Sequence, residues 1–384
     1  MDSPEPKQKK PIFKLPVENG ETLTAVQGFL QRLLASEIIE ALLVPMRTPH
    51  GAVTPTLVSD PLLLGAADPL APVMPVNAAT LAGQLSVREP RAKVGVVLRS
   101  CELRALVELV KLKQADLENL ILIAVDCAGT YEVPIYRQRA AAANGAGHDL
   151  WRDLYWSAAY EPENPDTDLR LACRMCEQPT YENADICLEL LGSNPDQVMY
   201  LSMSGALAEA LNLEETVAAA NGRAAVLDSL VTARTATRDS EFSAIRERMA
   251  DDGGVIAVLD SCIRCHNCMT VCPVCYCKTC VFKSALFDHD PMQYVGWARQ
   301  KGACRMPADT TLFHLTRLNH MGLSCIGCGM CTQACPADLP VGSVFRAIGQ
   351  GLQAAFDYVP GRSLEEPLPL ITFREDEWMG LGEE

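Results

Sequence analysis

Apolar positions along the chain follow two rhythms, and the clearest change between them begins at Val94. Val94–Leu98 (VGVVL) is a short β-branched run without polar breaks, which predicts a buried strand. Ser100 then offers an N-cap, and Leu103, Leu106, Val107 and Val110 recur at helical spacing. Leu120–Val125 (LILIAV) predicts a second buried strand, ending at Asp126-Cys127-Ala128-Gly129. Strand, helix and strand in this order make a βαβ-type unit. Residues 29–205 alternate such stretches and are expected to form an α/β domain. Residues 1–28 read as a polar leader with a Pro-rich start. Residues 206–253 turn Ala-rich and charged, and predict a connector of helices that stop at Gly253-Gly254. Residues 254–384 form the last division, dominated by cysteines as far as Phe345 and ending in a tail of prolines and acids. Within it, Asp309-Thr-Thr-Leu-Phe-His-Leu-Thr-Arg-Leu predicts a capped amphipathic helix.

Composition narrows the class. The chain has 384 residues, 48% of them hydrophobic, enough for a packed core in more than one domain. Lys+Arg is 33 against Asp+Glu of 48, a formal charge of -15. That balance argues against nucleic acid and against an anionic membrane surface, since both need a basic face. Met1–Lys10 has no apolar centre and does not read as a secretion signal. Nowhere do about 18 apolar residues run together, as a membrane span requires. The expected location is the cytoplasm. In a reducing compartment the 17 cysteines point to metal or redox chemistry before disulfides.

A short internal repeat says which chemistry. Residues 262–273 read C-I-R-C-H-N-C-M-T-V-C-P and residues 325–336 read C-I-G-C-G-M-C-T-Q-A-C-P. Both are C-x2-C-x2-C-x3-C-P. Three thiolates at this spacing can wrap three irons of a cube, while the fourth points to the cluster of the other run. The expected first cluster therefore has Cys262, Cys265, Cys268 and Cys335 as ligands. The second has Cys325, Cys328, Cys331 and Cys272. Zinc ribbons are the alternative, but they use separated C-x2-C pairs rather than four cysteines in one short run. Arg264, His266 and Asn267 in the first loop stand where the second has Gly327, Gly329 and Met330. More charge and more donors near the sulfurs predict a higher potential for the first cluster. His266 is read as a surface or supporting residue rather than a ligand.

Residues 273–324 separate the runs, a long insert for a compact ferredoxin. It opens with Cys275, Cys277 and Cys280, and Cys304 follows. These four are read as packed thiols beside the cluster, with a further metal as the alternative. His314 and His320 are read as helix-surface or supporting residues. The other five cysteines lie in the α/β part. Cys101 and Cys127 each follow a predicted strand, at the sheet edge where ligands collect. Cys173 and Cys176 form a C-x2-C pair. By spacing alone, those four are either a third metal site or buried thiols. Cys187 reads as a core thiol.

These cysteines carry a resemblance. Val94–Glu132, with Cys101 after the first strand and Asn119–Gly129 ending in C-x-G, then Cys173 with Cys176, then Ala184-Asp185-Ile186, resembles the β subunits of coenzyme F420-reducing hydrogenases and related formate dehydrogenases. The resemblance implies a third [4Fe–4S] cluster on Cys101, Cys127, Cys173 and Cys176, with FAD beside it. CPVCYCKTC, RMPADTTLFHLTRLNH and FDYVPGRSLEEPLPL resemble the dicluster ferredoxin domain fused to such subunits in anaerobes. They are also similar to iron–sulfur subunits of sulfhydrogenases and anaerobic sulfite reductases. The implied fold is an α/β (α+β) flavin and iron–sulfur domain followed by a bacterial-ferredoxin-like 2[4Fe–4S] domain with a long insert. Two departures stand out. Family members use a Pro-Cys pair where this chain has Ser100-Cys101, and no G-x-G-x-x-G is present, so no flavin-contacting residue is assigned.

The resemblance implies the electron-transfer (β) subunit of an anaerobic multisubunit oxidoreductase. Its partners would be a formate dehydrogenase or hydrogenase catalytic subunit, or a heterodisulfide-reductase-like subunit. Its hydride carrier would be a deazaflavin or NAD(P). The catalytic substrate site is expected on a partner chain, with no molybdopterin site here. The alternatives are a passive ferredoxin-like relay without flavin, and a zinc-dependent structural protein.

Overall fold

A computed structural model describes residues 10–88, 92–143, 149–216, 222–251 and 253–369. The chain divides into two compact units. The first holds Met1–Leu103 and Ala115–Glu241, and the second holds Arg104–Gln114 and Phe242–Glu384.

The first unit is built on a seven-stranded mixed sheet. Its strands are β1 (Ile12–Pro16), β2 (Ala41–Arg47), β3 (Val53–Val58), β4 (Val94–Arg99), β5 (Leu120–Val125), β6 (Ile186–Glu189) and β7 (Val198–Met203). They lie in the order β1-β7-β6-β5-β4-β2-β3. The centre is parallel: β2 with β4, β4 with β5, and β5 with β6. β3, β7 and β1 add antiparallel edges. Every residue of β4 is buried, which is why VGVVL reads as an unbroken apolar run rather than an alternation. The helices are α1 (Thr22–Ala35), α2 (Ala79–Arg88), α3 (Ser100–Lys111), α4 (Val133–Ala142), α5 (Leu150–Tyr160), α6 (Leu171–Arg174), α7 (Gly205–Ala210) and α8 (Arg223–Ala250), of which α3 from Arg104 and α8 from Phe242 belong to the second unit. α1 lays Val26, Phe29, Leu30, Leu33 and Leu34 into the core at helical spacing. The expected α/β architecture and the β4-α3-β5 unit are present.

Three local expectations change. The leader is shorter than residues 1–28, because Phe13 and Leu15 alternate inward on β1 and pair it to β7. Ser100 does not cap α3; it lies inside the helix, and Glu102 reaches back to accept from Arg99 N at 2.9 Å. The expected connector 206–253 is mostly one helix, α8, and the division between units falls inside it after Glu241. Part of the expected leader and tail, residues 1–9 and 370–384, lies outside the described residues.

The second unit consists of short elements: α9 (Gly254–Val258), α10 (Asn267–Thr270), α11 (Pro291–Lys301), α12 (Thr310–Met321), α13 (Met330–Gln333) and α14 (Val341–Ala355). Gly254 therefore opens a helix instead of ending one. α14 is strongly amphipathic and buries Val341, Val344, Phe345 and Ala347. Asp309 stands at the start of α12, but its side chain makes no cap bond; it pairs with Arg264 instead.

Candidate functional site

The two Cys-rich runs fold alike. Arg264 and His266 take positive φ (56° and 63°), and so do Gly327 and Gly329 (75° and 70°). Each run then enters a one-turn helix, α10 or α13. The left-handed residues curl the first loop so that Arg264 N points at Cys262 Sγ, 3.3 Å away. Amide donation to a cysteine sulfur is what an anionic ligand needs. Asn267 Nδ2 reaches Ala334 O at 3.4 Å, tying one run to the other.

The thiols gather across the runs. Cys262 is influenced by Cys335 and Cys265, and Cys268 by Cys262, Cys265 and Cys335. Cys272 is influenced by Cys328 and Cys325, and Cys331 by Cys328, Cys272 and Cys325. The last cysteine of each run thus sits with three of the other run. Burial pushes the Cys272 thiol up to about 12, so without a bound group it carries its proton at neutral pH. Among the described residues, no three His, Cys, Asp or Glu side chains are arranged to hold a single metal ion.

The insert supplies neighbours to these sulfurs. His314 is buried, with Nε2 3.2 Å from Cys262 Sγ. Of its two expected readings, it is therefore the supporting residue and not the helix-surface one, whereas Arg317 was not assigned from the sequence. Arg317, one turn on, is buried and donates through Nη1 to Cys268 Sγ and through Nη2 to Cys268 O, both at 3.1 Å. The i, i+3 spacing of these two on a predicted helix was the available signal. Phe313 packs on the His266 ring at 4.9 Å and on Phe282 at 5.1 Å, closing the first loop with apolar rings. Cys275 feels Cys277 and Cys280, and Cys280 Sγ lies 3.6 Å from Met269 Sδ. Cys304 turns to Arg305 O at 3.7 Å. His320 lies on the last turn of α12 and is exposed.

In the first unit, Cys127 meets the charges of Cys173 and Cys176, and Arg99 meets those of Cys127 and Cys101. Cys127, Cys173 and Cys176 thus lie within reach of one another's charge, and Arg99, at the end of β4, lies within reach of Cys127 and Cys101. Asp126 fixes the approach: its Oδ2 accepts from Leu190 N and Leu191 N at 2.9 Å each and pairs with Arg223. Gly129 has φ of 131°, and a Cβ there would lie 3.0 Å from Leu169 and 3.5 Å from Cys173 Cβ. Thr130 Oγ1 lies 3.3 Å from Cys173 Sγ. Burial pushes the Cys127 thiol up to about 11 against the charges of Arg99 and Arg234, while at Cys173 the Arg170 charge and the bond to Thr130 outweigh burial and hold the thiol below its ordinary value. Arg99, Arg170 and Arg234 are all buried here. Cys187 is buried on β6 and donates to Tyr181 O.

Two clefts flank this site. One is narrow and lined by Val44, Val53, Val73, Met74 and Val97 together with Arg99 and Glu102. The other is lined by Leu154, Leu169 and Leu230 together with Arg174 and Arg234.

No protein-family profile matches the chain. Among curated proteins, the F420-dependent formate dehydrogenase subunit beta of Methanocaldococcus jannaschii is 22% identical over 307 residues, 70% of this chain and 74% of that protein. The F420-dependent formate dehydrogenase 1 subunit beta of Methanococcus maripaludis is 23% identical over 382 residues, 91% of this chain and 94% of that protein. The chain is similar to F420-dependent formate dehydrogenase beta subunits. A match over 91% of the chain takes in residues of both units. Among solved structures, a chain of the xenon-derivatised F420-reducing [NiFe] hydrogenase complex from Methanosarcina barkeri aligns with a TM-score of 0.46 and 12% identity, covering 66% of this chain and 98% of that one. The resemblance expected from the cysteines is the one found.

Proposed function

We propose that the chain is the electron-transfer subunit of a formate dehydrogenase- or hydrogenase-type oxidoreductase, with three [4Fe–4S] clusters, FAD, and the deazaflavin F420 as its hydride carrier. The observation that carries this reading is the crossed gathering of thiols in the second unit. A cysteine pattern whose fourth member serves the other run is that of two-cluster ferredoxins, and on this reading residues 254–384 form the ferredoxin-like domain. A cube also spreads its thiolates over four corners, whereas zinc draws four sulfurs to about 3.8 Å of one another.

The residues present suit an anionic group. Arg317 is a buried cation that donates to Cys268 Sγ and O with no carboxylate among the partners described above, and Arg170 Nη2 lies 3.6 Å from Cys173 Sγ. A buried guanidinium is costly unless a negative charge faces it. Neutral thiols would not supply that charge; cluster-bound thiolates would. Cys262, Cys265, Cys268 and Cys335 would hold the first cluster, and Cys325, Cys328, Cys331 and Cys272 the second. Cys101, Cys127, Cys173 and Cys176 would hold the third. When bound, FAD would exchange a hydride's two electrons and the clusters would pass them on singly. Of the clefts beside these cysteines, the one lined by Arg99 and Glu102 has the apolar walls with a few polar groups that a flavin ring would need.

Anaerobic mixing with reduced F420 tests the reading. The visible absorbance of the as-purified protein should bleach within the mixing series. Bleaching by NADH or NADPH alone would replace the carrier, and no bleaching by any of them would reduce the chain to a relay without flavin.

A further inference from the structure

The insert between the two runs places one side chain against sulfurs of both. Arg317 on α12 is 4% exposed, and its guanidinium lies 5.5 Å from the Phe313 ring centre and 5.0 Å from that of Phe345. These rings leave few rotamers open to it. Its Nη1–H reaches Cys268 Sγ, and its Nη2–H holds the Cys268 carbonyl. Its charge acts on Cys268 from the first set and on Cys272 and Cys331 from the second.

We propose that Arg317 is a shared electrostatic positioning residue, a fixed buried cation that raises the reduction potentials of both ferredoxin-type clusters and acts most strongly on the one Cys268 ligates. This rests on the cluster assignment under Proposed function. Each cluster takes up one electron on reduction, so its total charge becomes more negative by one. A cation held nearby stabilises the reduced form over the oxidised form, and the potential rises. Arg317 acts on the Cys268 set in two ways, by charge and by an N–H···S bond. It acts on the Cys272/Cys331 set by charge alone. Lysine at this position keeps the charge but loses the two-pronged hold on Cys268 Sγ and O. Charge and hydrogen bonding can therefore be separated by experiment.

The test is an EPR-monitored redox titration of the full chain, purified without oxygen, as wild type, Arg317→Gln and Arg317→Lys. Arg317→Gln should lower both midpoints. Arg317→Lys should bring one of them back close to wild type and leave the other low. One or no lowered midpoint in Arg317→Gln overturns the proposal, as does an Arg317→Lys chain indistinguishable from Arg317→Gln. Should Arg317→Gln fail to hold iron, Arg317→Met takes its place: two lowered midpoints support the shared cation, and one or none overturns it. The cluster reading fails separately, in a wild-type chain that shows no reduced-cluster EPR signal.

Discussion

Gly327 and Arg264 occupy matching places in the two loops and solve one problem differently. Both adopt positive φ, which costs a non-glycine residue about 1 kcal/mol or more. Arg264 bears that cost and gains a half-buried pairing with Asp309 and a position 5.5 Å from the Phe287 ring. Gly327 has no such choice. A Cβ there would lie 2.6 Å from Arg346 Nε, so Arg346 of α14 lies against the bare loop. Gly327→Ala should therefore weaken the second site by about 1–2 kcal/mol through strain and displaced Arg346. Thermal melts followed by visible absorbance would show it as an early partial transition. A variant that melts like wild type would mean the loop relaxes freely. None of this could be read from the sequence, since Arg346 arrives from a distant helix. The glycine itself was visible; its partner was not.

At the scale of elements, local pattern foretold what local forces decide. β4, α3 and β5 were legible because a fully buried parallel strand shows as an unbroken apolar run. β1 was not legible. It is short and holds Pro16 at its end, and its alternation of Phe13 and Leu15 gains meaning only once β7 lies beside it. The same division holds at the sites. The Cys spacing is the ground for proposing crossed sets, because spacing fixes which thiols one loop can gather. Arg317 and His314 reached the sulfurs by tertiary packing, so only their shared helix face hinted at a role. Crossed ligation makes a direct prediction for single cysteine variants. Cys335→Ala and Cys262→Ala should leave the same residual EPR spectrum, and Cys272→Ala and Cys325→Ala should leave the other. If Cys335→Ala instead matched Cys325→Ala, each run would be serving its own cluster.

For the whole chain, charge and redox chemistry are distributed in opposite senses. The net charge is -15, yet each cysteine set has buried arginines beside it: Arg99, Arg170 and Arg234 in the first unit and Arg317 in the second. With clusters bound as proposed, a buried cation would act on them more strongly than the screened charges of the surface. Among the described residues no helix is long and apolar enough to cross a membrane. The relatives named as formate dehydrogenase beta subunits match over most of their length, so the proposed role is that of a subunit rather than of a free-standing catalyst. Iron, zinc and flavin per chain, measured on protein purified without oxygen, test this most directly. About 12 irons and one flavin are expected, for three clusters and one hydride-handling site. About 8 irons without flavin would remove the site at Cys101, Cys127, Cys173 and Cys176 and leave a two-cluster relay; zinc in place of iron would contradict the redox reading altogether.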